Sequence, residues 1–264
     1  MGIEISLEGQ CALITGASQG IGRGIAKILA QAGATVALCA RREEKLSALA
    51  AEIEARGGRA VPVSADLNDR SIAKGVVQRT VDALGGLDIL VNNAGASERV
   101  RPHEVTDEDI DKAFNLKFRV GVRLSKICLP HLKKRPVCIV NIAGHSGVEA
   151  ASKNAMGGIS NSSIINFTKS LSDSAAQWGV RVNVVSPGII ITPRSDKNDR
   201  RIAEIEEITF EESRERRIGA VPLGRGGTPN DVAHAVAFLA SGLAVHITGA
   251  NLLVDGGASR ATPY

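Results

Sequence analysis

The run Thr15-Gly-Ala-Ser-Gln-Gly-Ile-Gly22 follows the apolar segment Cys11-Ala-Leu-Ile and precedes an amphipathic stretch. Glycines between a strand and a helix let backbone N–H groups close on a pyrophosphate, and the helix N-terminus adds a favourable field for that anion. Gly16, Ser18, Gln19, Gly20, Ile21 and Gly22 are therefore candidate dinucleotide-binding residues. The spacing differs from the commoner G-x-G-x-x-G, and any tight strand-to-helix turn uses glycine, so the run needs support from elsewhere in the chain. That support comes from three further turns. Asp66 and Leu67 follow the third apolar run, with Asp66 placed to hydrogen-bond an adenine edge. Asn92-Asn93-Ala94-Gly95 ends the fourth, and Pro187-Gly188-Ile189-Ile190-Ile191-Thr192 ends the sixth. Open α/β sheets bind ligands at such strand C-terminal ends.

The second apolar run ends in Ala40-Arg41-Arg42. An acidic residue here would hold a ribose 2′-hydroxyl, whereas a guanidinium suits the 2′-phosphate of NADP. Arg41 and Arg42 can also simply open a surface helix. Beside the glycine turn, the expectation is NADP(H) in preference to NAD(H).

These turns need a frame. Cys11–Thr15, Thr35–Ala40, Ala60–Ser64, Leu87–Asn92, Val137–Ala143, Arg181–Ser186 and Asn251–Val254 read as buried strands. Ile21–Ala32, Glu43–Arg56, Ser71–Leu84, Asp107–Lys133, Ser162–Trp178 and Asn230–Ala240 read as helices between them. This alternation predicts an α/β fold: a Rossmann-type doubly wound parallel sheet of about seven strands, in one domain over residues 1–264. Arg194–Arg217 is dense in charge of both signs and too long for an ordinary connection. It predicts a helical excursion at about 193–220, either a solvated helix pair or a substrate lid. The Ser-, Asn- and Gly-rich loop 152–163 is poor helix-starting sequence, so the following helix is expected to begin late.

Composition narrows the function. The chain has 264 residues, 32 Lys and Arg against 28 Asp and Glu, and a net charge of +4. Interspersed charge of this size gives no reason to expect a nucleic-acid partner. No apolar run reaches the roughly 18 residues of a membrane span, and Met1–Gln10 carries two Glu, which argues against a signal peptide and for the cytoplasm. The four cysteines lie in strand-like or helix-like runs without C-x-x-C or Cys/His ligand spacing, so neither a disulfide framework nor a metal site is expected.

Taken in order, Thr15–Gly22, Asp66, Asn92–Gly95, Asn115, Phe167-Thr-Lys-Ser-Leu171, Arg181-Val-Asn-Val-Val-Ser-Pro-Gly188, Pro222-Leu-Gly-Arg225 and Leu253-Val-Asp-Gly-Gly257 resemble the short-chain dehydrogenase/reductase family over nearly the whole chain. The similarity is to its branch of 3-oxoacyl carrier-protein reductases and small carbonyl reductases. It implies a small-molecule substrate and a homo-oligomer, dimer or tetramer, with the last helix and strand in the interface. It also implies a Ser that holds the substrate carbonyl, a Tyr that donates a proton, a Lys four residues later that lowers the phenol pKa and grips ribose, and an Asn that supports a relay water.

The ungapped count from Asn141 to Phe167 places those roles on unsuitable residues. Ser falls on Gly144, Tyr on Gly157 and Lys on Asn161, leaving Asn115 alone. The sole tyrosine is Tyr264. Replacing Tyr by Gly is expected to leave a void. A rival register reads Glu149-Ala-Ala-Ser-Lys153 as the acid/base segment, at the cost of an insertion and a matching deletion. His145 and Ser146 follow Gly144 and offer hydrogen bonds to a substrate oxygen, or form a polar loop. Three functions stay open: an NADP(H)-dependent oxidoreductase with altered proton chemistry, a catalytically silent NADP(H)-binding sensor or subunit, and a lyase or isomerase using Glu149 or His145.

Overall fold

β1 (Cys11–Thr15), β2 (Thr35–Ala40), β3 (Arg59–Ser64), β4 (Ile89–Asn92), β5 (Cys138–Ile142), β6 (Arg181–Pro187) and β7 (Asn251–Val254) are short and almost wholly apolar. Burial on both faces favours such runs in a parallel sheet. In the computed structural model they form one sheet in the order β3-β2-β1-β4-β5-β6-β7, with every pairing parallel. Residues 4–95, 100–135, 137–150 and 154–261 are described. Lys153 and Tyr264 lie outside them.

The side-chain period of two sorts the core. Ala12 and Ile14 face Ile25 and Leu29 of α1 (Gly20–Gln31), Leu46 and Leu49 of α2 (Glu43–Glu54), and Val232 and Val236 of α9 (Pro229–Ala240). Leu13 points the other way, to Val76 and Val77 of α3 (Ile72–Leu84), Leu124 and Cys128 of α5 (Val120–Leu132) and Ala175 of α6 (Ala155–Ala175). Helices therefore cover both faces. The chain winds outward from β1 to β3, then returns to lay β4 on the other side of β1. That reversal leaves a crevice above the ends of β1 and β4.

Two expectations need correction. The single helix read over 107–133 is three segments: α4 (Asp107–Ala113), a π-helical stretch Phe114–Arg119, and α5. Edge-on contacts of Phe118 with Phe114 at 5.9 Å and with Phe167 of α6 at 6.2 Å pack that stretch. The helix expected to start late begins at Ala155. Its serines bond back to the preceding turn, Ser162 Oγ to Gly158 O at 3.1 Å and Ser163 Oγ to Ile159 O at 2.9 Å. Ser162 Oγ also donates to Gly147 O at 2.7 Å, so docking on the turn after β5 outweighs the weak propensity of Gly157 and Gly158.

The charged excursion forms α7 (Pro193–Glu206) and α8 (Phe210–Ile218). Fully buried Asp199 on α7 accepts from Arg217 Nε at 2.7 Å and Nη2 at 2.6 Å, which fixes the pair to one another.

Candidate functional site

The N-termini of α7, α8 and α9 are closed by their own side chains. Thr192 with Ser195, Thr209 with Glu212, and Thr228 with Asp231 form reciprocal caps on α7, α8 and α9. α1 differs. Its N-cap residue Gln19 makes no capping hydrogen bond, and no acidic residue occupies its first turn. Its leading N–H groups are thus left for an outside acceptor. The Gln19 amide oxygen instead accepts from Arg42 Nη2 at 2.8 Å, and the same nitrogen donates to Ser18 Oγ at 3.3 Å. Arg42 therefore arches over the glycine turn.

Two glycines of that turn are required by its shape. Gly16 takes φ +68°, and a Cβ there would stand 2.8 Å from Asn93 Nδ2. A Cβ on Gly22 would meet the Gly16 carbonyl and stand 2.5 Å from Asn93 Nδ2. Asn93 Nδ2 donates to Thr15 O at 2.9 Å. The Asn93 and Ala94 N–H groups both donate to Thr15 Oγ1 at 3.0 Å, which ties the ends of β1 and β4 together.

These turns enclose a cavity of about 380 Å³. Gly16, Ser18, Gln19, Gly20, Ile21, Gly22, Arg41, Arg42, Asp66, Leu67, Asn93, Ala94, Gly95 and Thr192 all line it. Of the sequence-derived cofactor residues, Asn161, Pro187, Gly188 and Ile190 are not in its wall. Gly188 packs on Asp255, and Ile190 bridges to Gly227, which sets the course of the chain into Thr192. A bare α1 terminus, a glycine cradle with no room for a Cβ, and guanidinium groups at one end suit a phosphorylated dinucleotide.

The far end of the cavity lies above β5, at Ile142 and Ala143. Here a buried polar cluster replaces the residue types that the family resemblance implies. Asn161 Nδ2 donates to Ser146 Oγ at 2.9 Å. Lys117 Nζ, from the π-helical stretch, donates to Ala143 O at 3.0 Å and to Asn161 Oδ1. Burial pushes the Lys117 ammonium down to about 7, and the charge of Arg194 adds to the shift. Behind this cluster, Asn92 Nδ2 donates to Asn141 Oδ1 at 2.9 Å and Asn141 Nδ2 to Thr168 Oγ1 at 2.9 Å, locking β4, β5 and α6 in register.

The Cβ positions of both Gly144 and Gly157 are already taken. A Cβ on Gly144 would lie 2.7 Å from Asn161 Nδ2, so Asn161 fills that space. A Cβ on Gly157 would lie 2.5 Å from Asn154 Nδ2, so the Asn154 carboxamide fills the other. The Asn154 Oδ1 is buried without a hydrogen-bond partner.

The remaining candidates stand apart from this cluster. Asn115 Nδ2 donates to Asn68 Oδ1 at 3.3 Å, on the outer side of the π-helical stretch. Glu149 Oε2 accepts the Arg260 N–H at 2.9 Å and does not line the cavity. His145 opens a single turn, His145–Gly147, beside Ser146. Sequence reasoning missed Lys117 and Arg194, which both line the cavity. Lys117 lies in the π-helical stretch, whose angular register differs from that of the α-helix read over these residues.

Comparison with known proteins agrees with this geometry. The enoyl-(acyl carrier protein) reductase family model matches residues 16–259. The chain is 33% identical to the 3-oxoacyl-[acyl-carrier-protein] reductase FabG of Thermotoga maritima over 252 residues, covering 95% of this chain and 98% of that protein. It is 36% identical to the 4-formylbenzenesulfonate dehydrogenase TsaC1/TsaC2 of Comamonas testosteroni, covering 96% and 99%. Its fold superposes on the L-sorbose reductase of Gluconobacter frateurii, solved with NADPH and L-sorbose, with a TM-score of 0.94 and 27% identity over 98% of this chain and 100% of that one. Among the described residues, no helix is long and apolar enough to cross a membrane. The chain belongs to the short-chain dehydrogenase/reductase family of oxidoreductases, in the branch similar to the 3-oxoacyl carrier-protein reductases.

Proposed function

We propose that this protein is an NADP(H)-dependent oxidoreductase acting on a carbonyl or alcohol substrate, with non-standard proton chemistry. The observation that carries the reading is the pairing of an open α1 terminus with Arg42 folded across the glycine turn at one end of the cavity, and a half-buried cation at the other. The bound nicotinamide would supply or accept the hydride. The protein's own groups do the rest. The turn Gly16–Gly22 and the first N–H groups of α1 hold the pyrophosphate. Arg41 and Arg42, at the end of β2, take the 2′-phosphate. Asp66 and Leu67 border the adenine, and Thr192 closes the cavity from the β6 side. Asn161 orients Ser146 and Lys117 toward the end where a carbonyl would lie.

Titration with NADPH and NADH, followed by nucleotide fluorescence, tests the cofactor assignment. Tighter binding of NADPH by about tenfold or more supports it, as expected from one charge-assisted contact to the extra phosphate. Equal affinity removes Arg41 and Arg42 from that role. A second reading has one observation in its favour. The spaces beside Gly144 and Gly157 are already filled by Asn161 and Asn154, as a silent NADP(H)-binding subunit would tolerate. NADPH binding without consumption of any ketone would favour it.

A homo-oligomer is part of the proposal. Leu243 and Val245, between α9 and β7, are 46% and 71% exposed, which supports an apolar contact there. Light scattering at micromolar concentration distinguishes a dimer or tetramer from a monomer.

A further inference from the structure

We infer that Lys117 is the proton donor of this site, acting directly on the substrate oxygen. The inference rests on the oxidoreductase reading above and extends it to a residue outside the family's usual acid/base positions. Five charged or titratable side chains line the cavity among the described residues: Arg41, Arg42, Asp66, Lys117 and Arg194. Arginine does not release a proton in proteins. Asp66 follows β3, with three strands between it and β5, at the opposite end of the crevice. Lys117 alone combines an exchangeable proton with a place above β5.

Its position follows from the replaced residues. Asn161 is neutral and brings no charge to the cavity. Lys117 Nζ comes from the facing helix and ends against Asn161 Oδ1, with Ala143 O as its second acceptor. An ammonium has three donor protons, so these two acceptors leave one for a ligand. Arg194, from the start of α7, is the charged neighbour that acts on Lys117, and repulsion between the two helps the proton leave. Burial has the same effect, which places the ammonium's proton release near neutral pH, where a general acid is most effective.

A hydride from a reduced nicotinamide adds to the carbonyl carbon, and the C=O π pair moves to oxygen. That oxygen takes the proton from Lys117 Nζ, giving the alcohol. The nicotinamide is oxidised, the carbonyl is reduced, and the neutral Lys117 amine regains a proton from solvent.

Three measurements on the intact protein test this. Trace acetylation read by mass spectrometry from pH 5 to 11 should give Lys117 half-maximal reactivity near pH 7, well below an ordinary lysine near 10.4, with protection by NADP+. NADPH affinity, measured by fluorescence, should change less than about fivefold in Lys117→Met and Lys117→Arg. Ketone reduction should fall by about 10²–10⁴ in both variants, with loss of the wild-type decline above pH 7. Lys117 labelling like an ordinary lysine, with its midpoint near 10.4, or a Lys117→Arg variant that keeps its turnover, overturns the inference and leaves the oxidoreductase reading standing. A wild-type protein that binds NADPH and reduces nothing overturns both. A wild-type protein that binds no NADPH removes the reading itself.

Discussion

The carboxamide of Asn161 occupies the space that a side chain at residue 144 would need: a Cβ on Gly144 would stand 2.7 Å from Asn161 Nδ2. The glycine and the asparagine are therefore matched, because only a missing side chain at 144 lets Asn161 reach Ser146 and Lys117 together. Gly144→Ala should destabilise the protein by about 1–3 kcal/mol through overpacking. Asn161→Ala in the same chain should recover most of that loss. Denaturant unfolding of the two single variants and the double reads the coupling, and strict additivity would show that the residues do not share this space.

Gly157 and Asn154 form a second matched pair. Any side chain at 157 must displace a carboxamide whose oxygen is buried without a partner. Gly144→Ser, Gly157→Tyr and Asn161→Lys introduced together should therefore fold poorly. Adding Asn154→Gly should raise the melting temperature of that triple variant by several degrees and bring out tyrosine-dependent ketone reduction. Equal melting temperatures with and without the fourth change would place Asn154 elsewhere.

Arg42 joins the glycine turn to the end of β2 through Ser18 and Gln19. Arg42→Asp replaces a phosphate partner by an acceptor suited to a ribose hydroxyl. NADPH should bind about 10–100-fold more weakly, the worth of one charge-assisted hydrogen bond, while NADH holds or improves. The ratio of the two dissociation constants is the measurement. An unchanged ratio would leave Arg42 as a strut of the turn.

Lys117 also gives stability a definite pH dependence. Its folded-state value of about 7 lies below the ordinary lysine value near 10.4. Between those limits the unfolded chain binds more protons than the folded one, so this group makes stability rise with pH across that window. Below about pH 7 both states are protonated, and the folded protein bears the full penalty of the buried cation. Wild type should therefore gain stability relative to Lys117→Met from pH 7 to pH 10. Parallel melting-temperature profiles of the two proteins over that range would contradict the assignment.

Much of the frame was legible in the sequence. Apolar runs such as Cys11–Thr15 and Thr35–Ala40 gave the strands their bounds, since burial on both faces leaves little choice of residue. The glycine turn and the segments after β3 and β4 assemble one cavity, because strand C-terminal ends in a parallel sheet converge on the same edge. Asn115 and Lys117 show where reading ended. A straight α-helix was expected over 107–133, and a π-helical turn holds extra residues that change the angular register of what it carries. Phe118 of that stretch packs edge-on against Phe167, about fifty residues later, a contact no local pattern reveals. The early start of α6 was hidden for a similar reason, as contacts with the turn after β5 outweigh its glycines.

The central claim is that this cavity uses NADP(H) as a reagent. Incubating the wild-type protein with NADPH deuterated at the nicotinamide C4 and a panel of ketones, then analysing the alcohols by mass spectrometry, tests it most directly. The expected product is an alcohol with one deuterium on its carbinol carbon, formed faster at pH 6 than at pH 9. Bound NADPH with no deuterated alcohol from any ketone at either pH would contradict it.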